Sequence, residues 1–60
     1  MWRLYPNEVP ERGVEVLTED DEGINRRLYL CTHCGKEWRE AFSGLGIMVN
    51  VIRWKYINEL

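Results

Sequence analysis

The chain has 60 residues, which allows one small domain spanning residues 1–60 with a modest hydrophobic core. Hydrophobic residues make up 45% of it and charged residues 30%, a balance that is typical of folded proteins and argues against intrinsic disorder. The net charge of −2 lacks the basic excess of most nucleic-acid-binding proteins, and no window of 18 apolar residues is present to span a membrane.

The first thirteen residues predict an irregular, extended segment. They contain both prolines, Pro6 and Pro10, and proline removes a backbone donor that helices and sheets need. Charged side chains scattered through residues 1–20 also argue against a signal peptide. We therefore expect a cytoplasmic protein whose N-terminal segment is anchored on the core by Trp2, Leu4 and Tyr5.

Residues 14–18 predict the first strand, since Val14, Val16 and Thr18 alternate onto one face. The acidic run that follows, residues 19–23, ends in glycine and is typical of a solvated hairpin loop. Calcium binding is the alternative for these acids, but the spacing of an EF-hand loop is missing.

Residues 26–32 predict a second strand, and residues 36–42 predict its hairpin partner with Trp38 and Phe42 on one face. The spacing of Trp38, Ala41 and Phe42 also fits a single helical turn. The short length of the segment favours the strand.

Residues 47–57 are rich in β-branched and aromatic side chains and predict the strongest strand. At residues 53–56, the order Arg-Trp-Lys-Tyr places the cations and the aromatic rings on opposite faces. The predicted fold is mostly β: an antiparallel meander of three to four strands that follows an irregular, proline-containing N-terminal segment. The predicted core consists of Trp2, Val16, Leu28, Leu30, Trp38, Phe42, Val49, Val51 and Trp54.

The most specific local motif is a CxxC pair, Cys31 and Cys34, followed directly by Gly35. Together with the aromatic Trp38, this stretch resembles a zinc-ribbon knuckle, in which two thiolates sit on a tight turn with a left-handed glycine. A structural zinc ion takes four nitrogen or sulfur ligands, whereas this chain has two cysteines and one histidine, His33, inside the turn. A complete site therefore needs two chains that each lend Cys31 and Cys34.

A tight hairpin turn requires a left-handed glycine with or without a metal, so Gly35 does not discriminate between the two. We therefore predict no cofactor, and intermolecular zinc at Cys31 and Cys34 is the alternative. A redox role for the CxxC pair is disfavoured, because such a motif opens a helix inside a βαβ unit, whereas predicted strands precede and follow this one.

Catalysis is disfavoured, and we predict that the chain is not an enzyme. His33 and Cys34 are adjacent and point to opposite faces of an extended chain, so they do not form a nucleophile–base pair. Basic and aromatic residues interleave at residues 26–29, 38–39 and 53–56, and such a face could stack the bases of a single strand. The acidic balance argues against nucleic acid and favours a protein partner.

The spacing of several residue pairs resembles a family of short phage and prophage proteins that form a domain of unknown function. Its pattern is a Trp, six residues, Leu-Pro, a Gly three residues later and a Val-Leu pair, then a central Trp and a closing Val-x-x-Trp. The corresponding residues here are Trp2, Val9, Pro10, Gly13, Val16, Leu17, Trp38, Val51 and Trp54. The chain departs from the pattern in having Val9 for Leu and no proline after the last Trp. The resemblance implies a compact, mostly antiparallel β domain of phage or mobile-element origin without an assigned activity.

Two hypotheses about function follow. The first is a non-catalytic protein-interaction domain, a phage or prophage accessory or host-modulating protein that presents a sheet edge or an aromatic patch to a protein partner. The alternative is a homodimer bridged by zinc through the Cys31 and Cys34 half-sites, presenting a nucleic-acid-binding surface.

Overall fold

The computed structural model describes residues 1–33 and 35–59, which form one antiparallel β-sheet. The elements are β1 (Arg3–Leu4), β2 (Val16–Asp20), β3 (Asn25–Leu30), β4 (Trp38–Glu40), β5 (Gly46–Ile47), β6 (Val51–Tyr56) and a 3₁₀ helix (Ile57–Glu59). The strands lie side by side in the order β1-β6-β2-β3-β4-β5. None of the helices in the described part of the chain is long and apolar enough to cross a bilayer.

The prediction of a mostly β, antiparallel fold is confirmed, and β2 to β5 form the expected meander. The described residues form six strands instead of three or four. The two additional strands, β1 and β5, are only two residues long, which is too short for a pattern of alternation to show them. The long strand predicted over residues 47–57 is divided. Its first part pairs with β4, whereas residues 51–56 return to pair with β2, so residues 48–50 must carry the chain between the two. Residues 38–40 are extended, so the helical-turn alternative is wrong.

The hydrophobic core lies against one face of the sheet, here called the inner face. The register places Val16 opposite Leu28 and Leu30 opposite Trp38, so their side chains share this face. The buried cluster consists of Val16, Leu28, Leu30, Trp38, Val51 and Trp54, all of which were predicted. Val49, also predicted, is only partly buried and packs against the cluster.

Two predicted core residues lie elsewhere. Phe42 is fully exposed, at 100%, because β4 ends at Glu40 and the chain turns before Phe42 can continue the inward alternation. Trp2 is half-buried on the outer face, where its ring packs against Arg53 and Lys55. Leu4, a predicted anchor, is 63% exposed. Alternation misplaced Phe42 because it does not show where a strand ends, whereas Trp2 and Leu4 were misplaced because the pairing of β1 with β6 turns their side chains to the outer face.

The N-terminal segment covers the inner face and takes the place of a second layer. The Tyr5 ring packs edge-on against Trp38, with 5.2 Å between the ring centroids. The Trp54 indole Nε1–H donates to the Glu8 carbonyl at 2.8 Å, and Pro10 is buried. The Tyr5–Pro6 peptide bond is cis. The N-terminal segment, which was predicted to be irregular, thus covers the core and shields it from solvent.

The acidic run was predicted as a loop over residues 19–23, but Glu19 and Asp20 end β2, the turn begins at Asp21, and the Asp20 carboxylate is buried. Asp20 ends β2 and is 5% exposed. Its Oδ1 accepts hydrogen bonds from the backbone N–H groups of Glu22 and Ile24, each at 2.9 Å. Its Oδ2 accepts from the Arg26 guanidinium in an ion pair. The Ile24 backbone bond, followed by the contact with Arg26, lowers the pKa of Asp20 below its ordinary value of 3.8. Asp20 therefore ties the β2–β3 turn together as a carboxylate.

We expect Asp20→Asn to lower stability at neutral pH and to flatten its dependence on acid. A folded-state pKa below the unfolded one stabilises the protein above the unfolded pKa and loses this effect as pH falls through the folded pKa. The wild type should therefore lose stability below about pH 4, and the gap to the variant should close there. Denaturant midpoints measured between pH 2.5 and 7 check this, with the exposed Asp21→Asn as the control. An equal gap at pH 3 and pH 7 would contradict it.

Candidate functional site

The CxxC turn begins where β3 ends, and its described residues are held by the backbone. Cys31 is 5% exposed and its N–H donates to the Glu37 carbonyl at 2.9 Å, closing the β3–β4 hairpin. Gly35 has a φ of 73°, which confirms the predicted left-handed glycine. The Arg12 guanidinium donates to the Cys31 carbonyl at 2.8 Å and also to the Gly35 carbonyl. The turn is therefore fastened from outside by the N-terminal segment.

A second contact fastens the same region. The Gly13 N–H donates to the Leu30 carbonyl at 2.9 Å, and Gly13 has a φ of 81°. A Cβ atom at Gly13 would lie 2.9 Å from the Thr32 Cγ2 atom, so the two segments approach closely. Gly13 is thus required both by its backbone conformation and by this close approach.

The zinc prediction stays a prediction. Cys31 is disulfide-bonded, and Cys34 lies outside the described residues. His33 is exposed. Among the described residues, no three His, Cys, Asp or Glu side chains gather closely enough to hold a metal ion. A zinc ion takes cysteine as the thiolate, so ligation by Cys31 requires its reduced form.

The outer face of the sheet carries part of the basic set considered for nucleic acid. The cations of residues 53–56 lie on this face, and their aromatic rings lie on the inner face, as predicted. The Arg53 guanidinium and the Lys55 ammonium lie 4.3 Å and 4.7 Å from the centroid of the Trp2 ring. The Nε of Arg53 also donates to Glu19. Ion pairs within the chain thus offset part of the positive charge on this face.

The β4–β5 hairpin and the residue after it carry three large apolar side chains that are mostly exposed. Phe42 and Met48 are each 100% exposed, and Leu45 is 68% exposed. We call the side chains of Phe42 and Leu45, which lie in the loop at the hairpin tip, the hairpin surface. Met48 lies at the other end of the hairpin, directly after Ile47, which pairs with Trp38. An isolated exposed apolar residue is ordinary, whereas two at one hairpin tip favour a contact region.

The backbone of the hairpin tip is ordered by hydrogen bonds. The Gly44 N–H donates to the Glu40 carbonyl at 2.7 Å, and the Glu40 N–H donates to the Leu45 carbonyl at 2.8 Å. The Ser43 hydroxyl donates to the Glu40 carboxylate at 2.8 Å. The Arg39 guanidinium donates to the Gly44 carbonyl at 3.1 Å. Phe42 is therefore presented to solvent on a fixed turn.

A groove of about 480 Å³ lies beside Phe42 and is also lined by Arg26, Arg27 and Glu40. The Arg26 guanidinium is bound to Asp20, whose side chain is only 6% exposed. The Arg27 side chain is 62% exposed, and its Nε lies 3.6 Å from a carboxylate oxygen of Glu15. The groove thus combines an aromatic ring, an accessible cation and an accessible carboxylate.

The sequence pattern predicts a core position for Phe42 and does not indicate the hairpin surface. The available signal was the turn composition Ser43-Gly44 directly after Phe42, which shortens the strand before it. The groove had no sequence signal, because its arginines belong to β3 and its phenylalanine follows β4.

Compared with known proteins, the chain matches no family model, no curated protein and no solved structure at a significant level. The resemblance to the phage and prophage family stays a prediction.

Proposed function

We propose that the chain is a small, non-catalytic protein-interaction domain that contacts its partner through the hairpin surface. The observation that carries this proposal is the complete exposure of Phe42 on an ordered turn. In keeping with the family resemblance, it acts as a phage or prophage accessory or host-modulating protein in the bacterial cytoplasm.

The energetics favour binding at this position. Complete burial of a Phe or Leu side chain contributes roughly 1.5–3 kcal/mol. Because the turn around Phe42 is already hydrogen-bonded, little backbone entropy is lost when a partner covers it. Aromatic side chains on such rigid supports are common anchors of protein interfaces.

The hairpin surface is a better contact region than the sheet edges, which were the other predicted possibility. The outer strands, β1 and β5, each contain only two residues. Short edge strands present few backbone groups for pairing with another strand, which is how many proteins avoid edge-to-edge association.

We expect the wild-type protein to select peptides rich in aromatic or aliphatic residues from a displayed random-peptide library, because only such side chains can cover the hairpin surface. The variant Phe42→Ser/Leu45→Ser should weaken binding of the selected peptides at least about tenfold, equivalent to roughly 1.4 kcal/mol. Fluorescence anisotropy of labelled peptides measures this.

The matched control is Leu4→Ser, which also removes an exposed apolar side chain but lies on β1. It should leave peptide affinity unchanged. Selection of no peptides above the background of the double variant, or equal losses in the control, would refute the proposal.

The zinc-bridged homodimer through Cys31 and Cys34 remains the alternative function. It requires both thiolates of two chains, and therefore reducing conditions. Its metal dependence distinguishes it from association through the hairpin surface.

A further inference from the structure

We infer that the hairpin surface binds a second copy of the chain, forming a weak two-fold dimer in which Phe42 packs beside Phe42 of the other copy. This inference rests on the proposed function, because it names the partner of the same surface. It needs no metal and no cysteine.

The groove beside Phe42 is self-complementary in charge. Arg27 and Glu40 both line it, and both side chains are accessible to solvent. In a two-fold arrangement, a contact from Arg27 of one copy to Glu40 of the other is made twice. A surface with one accessible charge of each sign therefore attracts its own copy.

The remaining charges of the groove do not oppose this pairing. Arg26 is neutralised by the buried Asp20, so it adds no repulsion between copies. The Glu15 carboxylate lies 3.6 Å from Arg27 on the exposed side, a separation at which a surface ion pair is weak. Glu40 of a second copy can therefore share or replace it.

The apolar part of the proposed contact lies at the same groove. Phe42 lines the groove and is fully exposed, and Leu45 follows three residues later on the same hairpin. When two copies of a 60-residue chain touch only through one hairpin from each copy, the surface area they bury is smaller than that of a standard interface. The expected dimer is accordingly weak, with a dissociation constant on the order of 100 µM.

Analytical ultracentrifugation of the full chain between 10 µM and 1 mM tests the inference. The wild type is expected to shift from monomer to dimer over this range. Phe42→Ser should raise the dissociation constant at least tenfold. Arg27→Glu and Glu40→Arg should each raise it about fivefold, because each places like charges together, and the double exchange should return it to within about threefold of the wild type.

The runs are repeated with a chelator and with a reductant. A dimer that dissociates on chelation, or on reduction alone, depends on zinc or on a disulfide and overturns the inference. So does a monomer at 1 mM, or a dimer that Phe42→Ser leaves intact. The charge exchange reports on the contact even if one single variant folds poorly. Peptide binding that persists in a strictly monomeric protein would refute the dimer while leaving the proposed function intact.

Discussion

Trp54→Ala is expected to lower the free energy of unfolding by about 3–5 kcal/mol, the range for removing a large buried side chain from a core. Trp54 is 2% exposed and packs edge-on against Tyr56, with 4.9 Å between the ring centroids. Its indole also holds the N-terminal segment through the Glu8 carbonyl. The free energy of unfolding of a domain of this size is roughly 3–9 kcal/mol in total, so the Trp54→Ala variant should retain little net stability.

Two further variants separate the causes. Trp54→Phe keeps a ring in the core but removes the Nε1–H donor, and should cost about 1–2 kcal/mol from the lost hydrogen bond and the smaller volume. Trp2→Ala removes a half-buried ring from the outer face and should cost about 1 kcal/mol or less. Urea unfolding followed by far-UV circular dichroism measures all three. Equal losses for Trp2→Ala and Trp54→Ala would contradict the one-sided core.

Gly13→Ala is expected to cost about 2 kcal/mol, the second-largest effect. The left-handed backbone at this position, with a φ of 81°, accounts for roughly 1–2 kcal/mol for a residue with a Cβ atom. The remainder comes from the Thr32 methyl group, which lies 2.9 Å from the position of the new Cβ and must move away. The change therefore loosens the segment that fastens the CxxC turn.

Gly23→Ala is the matched control. Gly23 has nearly the same φ, 80°, but nothing lies within 4 Å of its added Cβ. It should show the backbone cost alone. Adding Thr32→Ser to Gly13→Ala removes the obstructing methyl group and should recover the difference between the two glycine variants. Additive effects of Gly13→Ala and Thr32→Ser in a double-mutant cycle would show that the close approach has no energetic consequence.

The sequence by itself determined the fold class, most of the core and the turn chemistry. Alternation of period two placed Val16, Leu28 and Leu30 on one face, because pleated strands direct successive side chains to opposite sides. Gly35 marked its turn because a left-handed φ strongly favours glycine. These features depend on neighbours along the chain, so local pattern is sufficient to find them.

Only the tertiary structure decided where strands end and what covers the inner face. Asp20 can be buried because Arg26 and the turn backbone satisfy its oxygens, and a run of acids in the sequence does not indicate this. Phe42 differs in burial from Trp38 although both occur in the same alternating pattern. The hairpin surface arises because β4 ends two residues before Phe42, and strand length is set by pairing with β3 and β5. Pairing joins residues distant in the sequence, which is why local pattern cannot place Phe42 and the folded sheet can.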